Sequence, residues 1–276
     1  MRSRITITIS EDLLEQVDET IDNRTIRNRS QAIESLLRQT VSPKITTAVI
    51  LAGGSTTPHP QTGELIPKAL VPIKDSPVLE HTLLLLKQYN FSEVIICSSS
   101  ESMVAIKQAI RKMDVSSLKI KFSEETEKLG TGGALKHAIP LIPEKPFLLL
   151  HGDILTNINL IELINFYLNS DVKAVIATKP RPGRVSYGRV FLEGSHVINF
   201  QVPEEEAPIS LVNTGIYVFD YSVLAMLSDK KNFKIEDTLI PNLVKQEEVA
   251  GSVFQGIWFD VSESETYDEA NQRWKS

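Results

Sequence analysis

The sequence predicts an α/β protein in two parts: a small strand-helix-helix segment over 1–41, a linker over 42–46, and a mostly parallel α/β domain over 47–276. Three observations predict it. Residues Arg4 to Ile9 alternate polar and apolar with period two, and two stretches of helical period follow them. Ser42-Pro43-Lys44 then interrupts the pattern with a helix breaker. From Thr47 onward, apolar strand-like runs alternate with helical patterns, the rhythm of a sheet covered by helices.

In the first part, Ile5, Ile7 and Ile9 share one strand face while Arg4, Thr6 and Thr8 share the other. Ser10 is the expected N-cap of a helix whose first turn carries Glu11 and Asp12, where the helix dipole favours negative charge. Leu13, Leu14, Val17 and Ile21 recur at helical spacing and continue the apolar face. After a polar turn, Ser30 is the expected cap of a second helix bearing Ala32, Ile33, Leu36 and Leu37. So small a unit, with an unpaired strand edge, cannot bury enough apolar surface alone. A homodimer or higher even-numbered oligomer is expected.

This pattern resembles the ribbon-helix-helix repressors of the Arc, MetJ and CopG kind, in which two such strands pair and enter the DNA major groove. The resemblance implies DNA as a partner. By position, Arg4, Thr6 and Thr8 would face base edges. Arg29, Ser30 and the amides opening the second helix would hold a phosphate. A module that only dimerises is the alternative. The net charge of −6 does not argue against DNA, because residues 1–44 carry seven basic and seven acidic side chains and the whole excess lies in the remainder. Within that segment the acids concentrate between Glu11 and Asp22, and acids are absent from both proposed contact elements.

In the second part, Ala48 to Leu51, Val94 to Cys97, Phe147 to Leu150, Val172 to Thr178 and Val212 to Phe219 read as strands. Val78 to Tyr89 and Met103 to Met113 read as helices. Hydrophobic residues make up 42% of the chain, yet no apolar run approaches the roughly 20 residues that span a bilayer, so no membrane partner is expected. The alternating N-terminus does not read as a secretory signal, and a cytoplasmic location is expected. The single cysteine, Cys97, ends a buried strand and reads as a structural thiol.

Ligands of such sheets gather at the carboxyl ends of strands, so the loops after strands are searched first. Leu51-Ala52-Gly53-Gly54 opens one such loop, and Pro67-Lys68-Ala69-Leu70-Val71-Pro72 follows it. Further along come Gly130 to Leu135, His151-Gly152-Asp153, Tyr187-Gly188, Asn213-Thr214-Gly215 and Trp258-Phe259-Asp260. In this order the segments resemble the nucleotide-sugar pyrophosphorylases, across nearly all of Thr47 to Trp274. The resemblance implies a Rossmann-like, GT-A-like nucleotidyltransferase domain. It implies a nucleotide lined by Leu51, Gly53, Gly54, Lys68 and Gly130, and a sugar near Tyr187, Gly188, Asn213 and Gly215. Lys68 and Asp153 would be catalytic, and Asp153 with Asp260 would hold Mg²⁺, which takes oxygen ligands and often only one or two carboxylates.

Three departures from that family's pattern bear on activity. The arginine of its glycine loop falls on Thr57 or Pro58, and His59 reads as a loop residue rather than a replacement cation. The segment F-x-EKP is represented by Phe200-Gln201-Val202-Pro203, without either charge. Asp260 is followed by Val261 instead of glycine. A phosphate-stabilising arginine can be worth roughly 10³–10⁵ in rate. The sequence therefore favours a DNA-binding regulator that senses a nucleotide or nucleotide sugar through a degenerate catalytic domain. The alternative is an active sugar-1-phosphate nucleotidyltransferase with a DNA-binding or dimerising N-terminal segment.

Overall fold

The computed structural model describes residues 6–21, 26–41, 45–54, 56–183, 188–201, 207–261 and 264–274. It divides into two compact units, Met1–Lys44 and Ile45–Ser276. The division lies between Lys44 and Ile45: Ile45 is buried, and the Thr46 carbonyl accepts from the amides of Ser92 and Glu93.

The first unit contains α1 (Glu11–Glu19) and α2 (Arg29–Val41). Arg4 of the expected strand lies outside the described residues, and Thr6 to Ser10 form no strand. The physical reason is the one that calls for a partner: a single chain offers this segment no second strand. Ser10 occupies the N-cap position of α1 without a side-chain capping bond; its hydroxyl instead bonds the Asp12 carboxylate, holding it below its ordinary pKa. α2 begins two residues earlier than Ser30 predicts. Asn28 is its cap, accepting from the Gln31 amide at 3.0 Å, while the Gln31 side chain accepts from the Arg27 amide at 2.8 Å. This reciprocal arrangement is a near relation of the capping box. Arg29 makes a two-pronged ion pair with Asp18, both contacts 2.7 Å, and so ties the start of α2 to α1. Val17 and Ala32 are buried, whereas Ile7, Leu13, Leu36 and Leu37 are 37–50% exposed.

In the second unit nine strands form one sheet: β1 (Thr47–Leu51), β2 (Glu93–Ser99), β3 (Lys119–Glu125), β4 (Phe147–His151), β5 (Ala174–Gly183), β6 (Arg189–Glu193), β7 (His196–Gln201), β8 (Ala207–Phe219) and β9 (Val249–Val253). Their order is β5-β9-β7-β6-β8-β4-β1-β2-β3, and β5 also pairs with β8. The expectation of a mostly parallel sheet is corrected to a mixed one. β3, β2, β1 and β4 are mutually parallel, but β8 runs antiparallel to β4 and to β5.

The parallel half follows from its sequence. β1 is buried at every position, as expected of a strand covered on both faces. Ala48 and Ile50 pack into one apolar cluster with Leu83, Leu86 and Leu163, while Val49 and Leu51 pack into the other with Leu135, Ala138 and Leu243. The first cluster draws in α3 (Val78–Gln88), α4 (Ser100–Ile110) through Ile106, and α6 (Leu160–Asn169). The second draws in α5 (Gly130–Ala138) and α7 (Leu239–Lys245), so alternate residues of one strand anchor helices on opposite sides. Cys97 is buried within β2, and burial pushes its thiol pKa far up, in keeping with a structural role. Among the described residues no helix is long and apolar enough to cross a membrane.

Candidate active site

The carboxyl ends of β1 and β4 are adjacent in the sheet, which puts the glycine loop after Leu51 beside the turn after His151. The Gly152 amide bonds the Leu51 carbonyl at 2.9 Å, locking the two together. Asp153 follows immediately. Its carbonyl accepts from the Val261 amide at 3.0 Å, and Asp260 pairs with Ile154 where the short strands Ile154–Thr156 and Trp258–Asp260 run antiparallel. Two aspartates more than a hundred residues apart are thereby brought to one place. Both act electrostatically on the same imidazole, that of His151.

Lys68 reaches this place from a short 3-10 turn, Lys68–Leu70, pinned by buried Ala69. Its ammonium lies 3.9 Å from the Asp153 carboxylate. Oxygen donors from Asp153 and Asp260 suit a hard divalent cation completed by phosphate and water. Among the described residues no group of three or more His, Cys, Asp or Glu side chains is arranged to hold a metal alone.

Next to the aspartates lies a cavity of about 260 Å³, bordered by Asp260, His151, Thr131, Asn213, Glu236 and Lys234 among others. Gly188, Gly215 and Phe200 also border it. Asn213 bonds the Gly188 carbonyl through its backbone amide at 2.8 Å and accepts from the Gly215 amide at 3.1 Å. The predicted sugar residues Gly188, Asn213 and Gly215 are therefore neighbours; Tyr187 lies outside the described residues. Gly215 has φ +71°, and a Cβ there would stand 2.9 Å from the His151 ring, so this position needs glycine.

Glu236 carries no motif in the sequence, yet it ties the cavity wall together. Its carboxylate accepts from the Thr131 hydroxyl at 2.6 Å and from the Tyr217 hydroxyl at 3.3 Å, and lies 3.2 Å from His151 Nε2. Burial alone would raise the Glu236 pKa, but His151 beside it and the Thr131 hydroxyl hold it well below the carboxylate range. Burial would equally discharge His151, but the Glu236 carboxylate, with Asp153 and Asp260 beyond it, raises its pKa. With His151 protonated, the two form an ion pair that borders the cavity. The signal available in the sequence is weak: Phe233 and Ile235 are buried while Lys234 and Glu236 alternate with them, a short period-two pattern easily read as a solvated loop.

The residues expected at the nucleotide divide. Leu51 is buried at the end of β1, and Gly54, with φ +123° and open space where a side chain would go, forms the loop. Gly53 faces Glu125, whose Oε1 stands 3.1 Å from where a Cβ at 53 would be. That oxygen is buried with no hydrogen-bond partner among the described residues, and burial raises the pKa of the carboxyl. Gly130 also has positive φ, +71°, but the side chain it lacks makes room for the Phe233 carbonyl, whose oxygen lies 2.5 Å from where a Cβ would stand. Its place is under the loop that carries Lys234 and Glu236. His59 is a turn residue as expected, its Nδ1 accepting from the amides of Gln61 and Thr62 between strands Thr56–Pro58 and Leu65–Pro67.

Residues 47–276 match the family model described as nucleotidyl transferase, and residues 3–41 match that of ribbon-helix-helix protein, copG family. The D-glycero-alpha-D-manno-heptose 1-phosphate guanylyltransferase of Campylobacter jejuni is 32% identical over 80% of this chain and 96% of its own length. The catalytic subunit beta of mannose-1-phosphate guanylyltransferase from Drosophila pseudoobscura is 29% identical over 80% of this chain, which spans only 60% of that relative's length. The crystal structure of HddC from Yersinia pseudotuberculosis superposes with a TM-score of 0.72 at 24% identity, covering 84% of this chain and all of that one. A second structure of HddC, complexed with GMP-PN, gives a TM-score of 0.71 at 24% identity, covering 84% of this chain and 100% of that one. The fold is thus shared, and with the family model running the length of the large unit's sheet, this chain belongs to the nucleotidyl transferase family.

Proposed function

We propose that the large unit is a working guanylyltransferase that joins GTP to a sugar 1-phosphate, and that the small unit dimerises it and binds DNA. The observation that carries the enzymatic reading, over that of a retired sensor, is the convergence of Lys68, Asp153 and Asp260 beside the glycine loop. The names of the relatives point the same way.

In the proposed reaction a phosphate oxygen of the sugar 1-phosphate attacks the α-phosphorus of GTP. A new phosphorus–oxygen bond forms, the bond from the α-phosphorus to the bridging oxygen breaks, and its electron pair leaves on pyrophosphate. Little covalent work falls to protein groups, so positioning and charge stabilisation carry the rate. Lys68 would neutralise a phosphate of the nucleotide, and Asp153 and Asp260 would hold Mg²⁺. That ion, when bound, supplies charge neutralisation at the triphosphate. The missing loop arginine remains a real loss; Thr57 lies on a strand and carries no charge.

Glu125 supports GTP over the other triphosphates. A buried carboxylate with an unpaired oxygen suits a ligand edge presenting two adjacent N–H donors. Guanine has such an edge, whereas uracil flanks its one N–H with carbonyls and adenine places an acceptor beside its amine. Glu125→Gln is expected to lower kcat/KM for GTP by about 5–150-fold, the worth of one good bidentate base contact, and to narrow the preference for GTP over UTP. Steady-state kinetics with both nucleotides checks it; an unchanged GTP/UTP ratio would remove Glu125 from base reading.

For the small unit, the match over 3–41 and the exposed Ile7, Leu13, Leu36 and Leu37 support pairing of two chains. Arg4, Thr6 and Thr8 are proposed to face bases. Ser30 and the first amides of α2 are proposed to hold a phosphate, with Arg29 bracing that turn through Asp18 instead of offering a free cation. Affinity for operator DNA should fall steeply with salt, and Arg4→Ala should cost about 1–3 kcal/mol on the specific site while changing non-specific binding little. Equal loss on every sequence, measured by titration at several salt concentrations, rules out base reading by Arg4.

The enzymatic reading is tested by pyrophosphate release with Mg²⁺, four nucleoside triphosphates and a panel of sugar 1-phosphates. Ligand binding without turnover would restore the sensor reading.

A further inference from the structure

We infer that Lys234 is the cation that holds the phosphate of the sugar 1-phosphate, replacing from another segment the lysine that Phe200-Gln201-Val202-Pro203 lacks; the assignment rests on the transferase reading above. Phe200, which opens the charge-less segment, borders the cavity, and so does Lys234. The segment that lacks the lysine and the lysine at 234 thus border one cavity.

Lys234 is the sole lysine or arginine among the described residues bordering that cavity. The other basic group there, His151, has its Nε2 3.2 Å from the Glu236 carboxylate. The Lys234 ammonium has no hydrogen bond or ion pair among the described residues, although Glu236 and Asp237 are close in sequence. Glu236 is already engaged by Thr131, Tyr217 and His151. Lys231, three residues away, pairs with Glu127 and points to different chemistry.

The backbone that carries Lys234 is held on both sides. Phe233 and Ile235 on either side are buried, the Ile235 amide donates to the Thr131 hydroxyl at 3.0 Å, and the Lys234 carbonyl accepts from the Thr238 hydroxyl at 2.7 Å. A long, uncommitted ammonium on an anchored stem, bordering a cavity whose other ionisable groups are His151 and the carboxylates of Glu236, Asp237 and Asp260, is suited to an incoming phosphate dianion.

Binding of mannose 1-phosphate, glucose 1-phosphate and a manno-heptose 1-phosphate to the full chain is measured by calorimetry, beside pyrophosphate release. Lys234→Gln is expected to weaken binding of the best of the three by about 10–150-fold, the worth of a hydrogen bond to a charged group. Lys234→Arg should keep most of the affinity, GTP binding should stay within about twofold, and Lys230→Gln should change nothing. Equal affinity in Lys234→Gln and the parent chain overturns the assignment, as does parallel loss of GTP, or a parent chain that binds none of the three. A parent chain that binds the sugar phosphate through Lys234 but releases no pyrophosphate keeps the assignment and overturns the transferase reading alone.

Discussion

Asp153→Asn is expected to lower pyrophosphate release by at least about 10²–10³, the usual effect of deleting one preorganised charge-stabilising group. Asparagine keeps the size of the side chain, and the hydrogen bond that fixes this turn uses the Asp153 backbone carbonyl, so the Val261 contact survives. What is lost is one of two carboxylates that both act on His151, beside the place where residues 154–156 and 258–260 pair. The Lys68–Asp153 contact is long, 3.9 Å, with both side chains partly exposed, so its loss should move stability by less than about 1 kcal/mol. The thermal midpoint should therefore stay within a few degrees while turnover collapses. Retained turnover with an intact midpoint would mean that Asp260 and Lys68 suffice without Asp153.

The parallel strands, the glycine loop and the lysine and aspartate segments could be read because each is local: a run of apolar residues ends, and small or charged residues follow. The approach of Asp153 to Asp260 depended on a colinear resemblance, since nothing local says that residues 154 and 260 share a ladder. The antiparallel placement of β8 against β4 was illegible for the same reason. An apolar run such as Val212 to Phe219 gives a strand but no direction. Glu236 and Lys234 were missed because charged residues in a loop are usually solvated, and only the cavity behind them distinguishes these two. At the N-terminus the cap moved from Ser30 to Asn28 because Gln31 lies three residues after Asn28 and completes the reciprocal bonds there. The pairing of Arg29 with Asp18 links two helices and has no local signature.

The glycines of α5 show how a legible motif can hold a second role. Gly133→Ala is expected to destabilise the large unit by about 1–3 kcal/mol, the range for forcing an extra methyl into a packed site. The added carbon would stand 2.5 Å from the Lys231 carbonyl oxygen and 2.8 Å from Leu129 Cβ. A backbone oxygen cannot swing aside as a side-chain end can. Relief has to come from moving the 231–237 loop, since Gly132 and Gly133 both donate amides to the Phe233 carbonyl from within the helix. The helix-propensity gain of alanine over glycine, about 0.8–1.0 kcal/mol, offsets part of the strain but not all of it. For a unit of this size each kcal/mol lowers the midpoint by about 2–4 °C. Displacing the loop also moves Lys234 and Glu236, so KM for the sugar 1-phosphate should rise more than KM for GTP. A lowered midpoint with both KM values unchanged would show that the cavity wall is held by Thr131 and His151 independently of the glycine seat, and would leave Gly130 to Gly133 a purely structural element of the fold.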